Sequence, residues 1–382
     1  MRGRIVNLMK KILVHHKRNE TSVAIIKNDV LTNYYVESNE NPRLLGNIYK
    51  GKVQNFLPGI QAVFVDIGRD KNAFLQLSKN QKLEIGQDVI IQIKKEAIGT
   101  KGPRATTALS IPSHNVVLLP RTKYIGVSQK IDIRKRSRLY EIAKKAHLKN
   151  VGLIIRTDAQ DCDEETLLSE INYIYRFWKS IEQSMIKKKS PSLLYSDNDL
   201  MSRIVRDELT GDVEDVVIDS QKLCNQIMRL VKHISPNLLE KIDIWRYIDE
   251  TPIFEKFHIA EEIEKLSARE VELPSGGFIV IDKTEALTAI DVNTGHFVGN
   301  LNLSDTVYKV NIEAAETIMR QLRLRDIGGI IVVDFIDMPK AERKEGLMEF
   351  LRNEAKKDKV RTDVIDMTPL GLVEITRKRS RE

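Results

Sequence analysis

The chain has 382 residues, 42% hydrophobic and 30% charged, enough for two or three domains with cores of their own. No apolar run approaches the roughly 18 residues of a membrane span, which argues against an integral membrane protein. A net charge of +7 and a pI near 9.1 favour a polyanionic partner. The two cysteines, Cys162 and Cys224, lie far apart without CxxC or His spacing, so no zinc site is visible and a reducing compartment is expected.

In chain order, Met1 to Arg18 is basic, but Ile12-Leu13-Val14 already reads as a first strand and no small-residue cleavage pattern follows, so a targeting segment is not expected. Val23 to Ile26 and Tyr34 to Val36 are further strands, ending at a turn over Asn39 to Arg43. From Gly46 the strands become short: Asn47 to Val53, a Pro58-Gly59 turn, Ala62 to Gly68, Asn72 to Leu75 and Gln87 to Ile93. About five such strands with basic and aromatic positions interleaved predict a small OB-type barrel. Phe64 and Phe74 are candidate stacking platforms for bases, and Lys101, in the loop Gly99-Thr100-Lys101-Gly102, a candidate phosphate contact. Taken alone, each phenylalanine reads first as core packing.

Next come an apolar strand, Val116 to Pro120, a basic run, Arg134-Lys135-Arg136-Ser137-Arg138, and a buried strand from Gly152 ending in Arg156-Thr157. A long helix through Trp178 follows. An arginine and a hydroxyl at a strand end can clamp a terminal phosphate, although alone such a pair more often caps the next helix. Asp215 to Asp219 reads as a strand and Ser220 to His233 as a helix.

The densest chemistry lies between Gly277 and Met338. An apolar strand from Phe278 breaks at Asp282-Lys283-Thr284 and resumes to deliver Asp291-Val292-Asn293. After a loop with Gly295 and Gly299, Ser304-Asp305 reads as an N-cap before a helix with Val307, Val310, Ala314, Ile318 and Leu322 on one face. It stops at Gly328-Gly329, and Ile330 to Val333 hands over Asp334-Phe335-Ile336-Asp337 before Pro339. Two apolar strands joined by a helical crossover thus each end in a carboxylate, where open α/β sheets place their ligands. Asp291 and Asp334, 43 positions apart, suit a hard cation such as Mg2+, and Asn293 would point to the same side as Asp291. The same acids could instead cap helices or pair with arginines. Beyond Met338 the sequence predicts a charged helix over Ala341 to Lys357, a strand at Val364-Ile365, a turn at Thr368 to Gly371 and a basic tail from Arg377.

Several of these blocks together resemble the RNase E/G endoribonucleases: Ile290-Asp291-Val292-Asn293, Asn311 to Glu316, Arg320 to Gly329 and Val333 to Met338. The ordering around Gly46 to Leu75 resembles that family's S1-type RNA-binding domain. The resemblance implies a multi-domain α/β fold: a split RNase-H-like subdomain (1–45 and 198–266), an S1-type OB barrel (46–111), a 5′-sensor region (112–197) and a DNase-I-like catalytic subdomain (267–382). It implies that Asp291 and Asp334 hold a catalytic Mg2+ with Asn293 in support, and that Phe64, Phe74 and Lys101 contact RNA. Arg156 and Thr157, with Val117 as the apolar wall, would sense a 5′-monophosphate. The family's Ser-Arg-Arg-Ile reads Ser128-Gln129-Lys130-Ile131 here, so Gln129 replaces one arginine beside Lys130.

The activity implied is Mg2+-dependent cleavage of single-stranded RNA in processing and decay, leaving 5′-phosphate and 3′-hydroxyl ends. The alternative is a non-catalytic protein that binds RNA at 5′-monophosphate ends. The role of Asp337 stays open between a second ligand and a supporting group. The family's zinc link, its small dimerisation domain and a scaffold for degradosome partners are not seen in this sequence; a homodimer is the oligomer expected, with no membrane partner. Met9 rather than Met1 matches the family's usual start, and the Lys-, Ile- and Asn-rich composition suggests a plastid stroma or a bacterial cytoplasm.

Overall fold

A computed structural model of the protein describes residues 9–38, 43–78, 82–97, 101–197, 200–234, 238–295 and 303–378, with backbone alone at 233, 234, 303 and 304. The chain divides into two compact units, one of residues 1–21 and 37–248, the other of residues 22–36 and 249–382. Residues 39–42 of the expected turn, Gly99 and Thr100, Gly299 and the tail from Arg379 lie outside the described residues.

The chain opens with three strands, β1 (Lys10–Lys17), β2 (Glu20–Lys27) and β3 (Val30–Ser38). In the first unit there follow β4 (Ile48–Leu57), β5 (Ala62–Asp66), β6 (Ala73–Gln76), β7 (Asp88–Lys95) and β8 (Arg104–Thr106). They hydrogen-bond in the order β4-β5-β6-β8-β7, and β7 returns to β4, so the sheet closes into a five-stranded, OB-like barrel. Alternation explains the closure: Val63, Val65, Ala73, Leu75, Ile91 and Ile93 are at most 1% exposed and fill the interior.

Beyond the barrel, β9 (Ile111–Pro112), β10 (Val116–Pro120), β11 (Ile125–Val127) and β12 (Val151–Ile155) form a second sheet in the order β11-β12-β10-β9. Two helices, α1 (Ile133–Lys145) and α2 (Glu164–Lys187), share a core with it through Leu139, Ile142, Leu167, Ile171 and Trp178. The helix expected to end near Trp178 runs nine residues further, because Ile181 is also buried on the same face. β13 (Ser192–Tyr195) pairs with β4.

The unit ends with α3 (Leu200–Asp207), β14 (Val213–Ile218), α4 (Gln221–Ile234) and β15 (Asp243–Arg246). Here β14 lies parallel between β1 and β15, which brings the N-terminal strand to residues some 200 positions along the chain.

In the second unit, two short helices, α5 (Ile253–Lys256) and α6 (Ala260–Glu264), lead to β16 (Glu270–Glu272), β17 (Phe278–Lys283) and β18 (Leu287–Asn293). Then come α7 (Leu303–Leu324), β19 (Gly329–Asp334), α8 (Ala341–Lys357), β20 (Thr362–Met367) and β21 (Leu372–Arg377). The sheet order is β16-β17-β18-β19-β21-β20. Only β18 and β19 pair in parallel, and the long α7 supplies the crossover that a parallel pair requires.

Two expectations are corrected here. Ser304 and Asp305 lie inside the first turn of α7 rather than capping it, and Asp305 is paired with Arg343. Arg377, expected to begin a basic tail, is instead the last residue of a sixth strand: Val373 and Ile375 point into the core and Arg377 is buried. The sheet is covered on one face. Ile279, Ile281, Ile290, Val292, Ile331, Val333, Val373 and Ile375 all face one side, sharing one core with Val310, Ala314, Ile318 and Leu322 of α7 and Leu347 and Leu351 of α8. The alternate residues are left on a bare face, the pattern of a mostly antiparallel sheet.

Candidate functional site

The bare face carries the acids. In the parallel register Asp291 stands opposite Asp334, and Val280 opposite Asp291 on the other side. Cross-strand partners point to the same face, so both carboxylates project together from strands about 4.8 Å apart. Each is exposed and is the last residue of its strand or close to it. With Val280, Asp282, Ala289, Val332 and Leu372 they line a shallow pocket of about 310 Å³ whose floor is apolar and whose end is anionic. The ligand position is thus set by the face of the sheet as well as by the ends of its strands.

Asn293 also lies on this face, and its Nδ2 donates to Asp291 Oδ2 at 2.8 Å. That bond holds one carboxylate oxygen in place and leaves the other for a ligand. Close packing of the turn fixes the end of β18: a side chain on Gly277 would meet the Asn293 carbonyl at 2.7 Å, and one on Gly295 the Gly276 carbonyl at 2.5 Å. A residue that spacing did not single out pins the other acid-bearing segment. Asn311 of α7, fully buried, donates from Nδ2 to the Ile336 carbonyl at 2.8 Å and accepts from the Ile336 N–H at 3.1 Å. It ties the loop after Asp334 to the crossover helix with both ends of one amide.

A third carboxylate, Asp282, shares the pocket, but two hydrogen bonds from Arg269 at 2.6 and 2.7 Å engage it and hold it below the usual carboxylate range. Asp337 lies outside the pocket lining, 94% exposed, with Lys344 at 3.8 Å. Among the described residues no group of three or more His, Cys, Asp or Glu side chains converges. Two carboxylates with an amide beside them fit a cation that keeps several waters, as Mg2+ does; they do not form a closed cage.

On the barrel, Phe64 and Phe74 are cross-strand partners on the outside of β5 and β6, while their neighbours fill the interior. Their rings meet edge to face with centroids 6.0 Å apart. The Arg104 guanidinium lies 5.6 Å from the Phe74 ring, a cation over an aromatic face that the sequence did not signal because Arg104 is on a three-residue strand. Lys101 is exposed. Its loop is locked beside β6: the Phe74 N–H donates to the Pro103 carbonyl at 2.7 Å, and a side chain on Gly102 would meet the Asn72 carbonyl at 2.1 Å.

At the end of β12, the Thr157 hydroxyl lies 3.0 Å from that of Ser128. Arg156 is half-buried and fully engaged on one side: Nη1 and Nη2 each donate to Asp207 Oδ1 at 3.0 Å, and Nη1 to the Ser113 carbonyl at 2.8 Å. Val117, half-buried on β10, lies opposite Ile154 of β12. Gln129 lends only its carbonyl, which accepts from Arg136, and the Lys130 N–H reaches Ser128 Oγ at 3.3 Å.

The second unit thus carries an acid pair on a bare sheet face, and the first an outward aromatic step with a cation beside it and an arginine–hydroxyl group at a strand end. Comparison with known proteins names the family. Residues 110–380 match the model of the Ribonuclease E/G family. Ribonuclease G of Salmonella typhimurium (strain SL1344) is 37% identical over 394 residues, covering 97% of this chain and 80% of its own. Ribonuclease G of Escherichia coli (strain K12) is 38% identical over the same span, and Ribonuclease E of Nostoc sp. is 37% identical over 88% of this chain and 51% of its own. The chain belongs to the ribonuclease E/G family, and with it to the endoribonucleases.

Proposed function

We propose that the chain hydrolyses internal phosphodiester bonds of single-stranded RNA at the acid pair of β18 and β19, with Mg2+, leaving 5′-phosphate and 3′-hydroxyl ends. The observation that carries this is the cross-strand placement of Asp291 and Asp334 on an uncovered face, with Asn293 bonded to Asp291. Bound there, Mg2+ would supply Lewis acidity at the phosphate and an activated water. The residues do the rest. Asp291 and Asp334 hold the cation, and Asn293 keeps the Asp291 carboxylate from rotating away. The apolar floor of Ala289 and Val332 gives the nucleotide beside the scissile phosphate a surface to lie on.

The remaining modules read as substrate contacts. Phe64 and Phe74 offer ring faces and edges to stacked bases, and Lys101 offers a charge to the backbone. Arg156, Thr157 and the wall at Val117 would receive a 5′-monophosphate. Family likeness supports the subdomain names: RNase-H-like for residues 1–45 with 198–266, S1-type for 46–111, 5′-sensing for 112–197 and DNase-I-like for 267–382. The pairing of β1 with β14 supports the split of the first, and the closed barrel supports the second. The relatives named above are bacterial, which favours a bacterial cytoplasm over a plastid stroma. No helix among the described residues is long and apolar enough to cross a membrane.

The test is cleavage of a 5′-monophosphorylated, AU-rich RNA in Mg2+ by the wild type and by Asp291→Asn and Asp334→Asn. Loss of cleavage by about a thousandfold in each, with RNA binding retained, is expected. Cleavage that survives either change rules out the pair as the metal site.

A further inference from the structure

Arg156 is one end of a chain of charges internal to the first unit. Asp207, at the C-terminal end of α3, takes both Arg156 Nη atoms on Oδ1 and the Nε and Nη2 of Arg206 on Oδ2, at 3.0 and 2.9 Å. Arg206 continues to Asp197 Oδ1 at 2.7 Å, which also accepts from the Tyr195 hydroxyl at 2.9 Å. Burial alone would raise the Asp207 carboxyl, but Arg206, and after it Arg156, outweigh burial and hold it below the usual range. The carboxylate therefore stays charged between two guanidinium groups. The Arg156 backbone is fixed too, its N–H donating to the Asn115 carbonyl at 2.8 Å. Asn115 in turn is clamped by the fully buried Glu170 of α2, at 2.9 Å through its N–H and 2.8 Å through Nδ2.

We propose that Asp207 is a positioning residue for 5′-end recognition: it fixes the Arg156 guanidinium in one orientation so that its remaining edge meets a terminal phosphate beside the Thr157 hydroxyl. This rests on the reading of Arg156 and Thr157 as the phosphate sensor. The fork of Arg156 has five N–H donors. Asp207 takes Nη1 and Nη2 and Ser113 takes Nη1, the Asp158 carboxylate lies 3.5 Å from Nη2, and Nε–H donates to nothing among the described residues.

A carboxylate so close weakens the long-range attraction of Arg156 for an anion, so what Asp207 contributes is orientation. A free arginine loses much rotamer freedom on binding, and one already held by its partner does not. A bidentate phosphate contact also depends on the plane of the guanidinium, which a bond to both Nη atoms sets. Arg206 occupies the far oxygen of Asp207, so Asp207 cannot swing to follow a mobile Arg156.

The experiment compares kcat/KM on one RNA carrying a 5′-monophosphate or a 5′-hydroxyl, for wild type, Asp207→Asn, Asp207→Glu and Arg156→Gln, with thermal midpoints measured beside it. The ratio of the two substrates is the readout. In Asp207→Asn it is expected to fall about tenfold toward the Arg156→Gln value, through KM, with Asp207→Glu restoring most of it. A merely structural loss lowers both substrates equally, and an unchanged ratio in a folded Asp207→Asn overturns the proposal. A ratio that rises also overturns it, since Asp207 would then be a competitor of the phosphate. A wild-type ratio of one, untouched by Arg156→Gln, would instead sink the sensor reading on which the proposal stands.

Discussion

Replacing Arg377 with methionine tests whether the last strand belongs to the core that carries the acids. Arg377 is 3% exposed at its side chain and Asp358 is 2% exposed; Nε donates to Asp358 Oδ2 at 2.8 Å. Nη1 donates to Asp326 at 3.2 Å and to the Ile327 carbonyl at 3.0 Å. Arg377→Met keeps the apolar stem but leaves Asp358 buried without its cation, a change that costs about 3–5 kcal/mol in buried pairs. Asp358 keeps two donors, the Val360 N–H and the Thr362 hydroxyl, both at 2.9 Å, which places the loss at the lower end, about 3 kcal/mol. For a unit of this size that is a fall of about 6–12 °C in the melting midpoint. The assay is urea and thermal unfolding of Arg377→Met beside Lys378→Met, whose exposed side chain should cost no more than about 0.5 kcal/mol. The double change Arg377→Met, Asp358→Asn should recover part of the loss, because no buried charge is then stranded. If Arg377→Met costs no more than Lys378→Met, the end of β21 is not buried in the core as described and the ion cluster contributes nothing.

Further outcomes follow from the same geometry. Mg2+ should stabilise the wild type by RT ln(1 + [Mg2+]/Kd), about 1.4 kcal/mol at ten times the dissociation constant, raising its melting midpoint, and should not do so in Asp291→Asn; an equal rise in both would place the cation elsewhere. Phe74→Ala should weaken binding of single-stranded RNA about tenfold in a filter or fluorescence titration without unfolding the barrel, as its ring is outside the core; unaltered binding would remove the stacking role. Asp207 has a folded pKa below its unfolded value, so its contribution is present above about pH 4 and lost as the pH falls through the folded value. The stability gap between wild type and Asp207→Asn in urea should therefore be wide at pH 7 and should close below about pH 4; a gap that widens in acid would have the wrong sign. Burial, with the charges of Asp163 and Glu170, pushes the Cys162 thiol up to about 12, so thiol reagents at pH 8 should label it slowly until the chain is unfolded. Rapid stoichiometric labelling of the native protein would contradict that burial.

Much of this arrangement is legible in the order of residues, and what is not has definable causes. The charged helix over Ala341 to Lys357 lies where it is expected, since its apolar positions recur at helical spacing and Pro339 sits just before it. The strands of the barrel follow from alternation. β21 alternates as well, but Arg377, followed by Lys378 and Arg379, reads as the start of a basic tail until the fold supplies Asp326 and Asp358 as partners. Strands of two or three residues, such as β8, β9, β11 and β16, are too short to carry a period. Partners far along the chain are not readable from spacing at all: Arg156 gives no sign that Asp207, 51 positions on, will take its charge.

The acid pair shows the same limit and its resolution. Spacing placed a carboxylate at each strand end but could not say whether the two would meet. That is decided by register, and register is decided by the core: Ile290 and Val292 on one strand and Ile331 and Val333 on the other must all face α7 and α8. A slip of either strand by one residue would turn its two apolar residues outward and bury its aspartate. The apolar alternation that stabilises the sheet is therefore also what sets the two carboxylates opposite one another. A substitution such as Val333→Asp should abolish cleavage through loss of that register even though it touches no ligand, and restoring the fold by an osmolyte should restore cleavage with it.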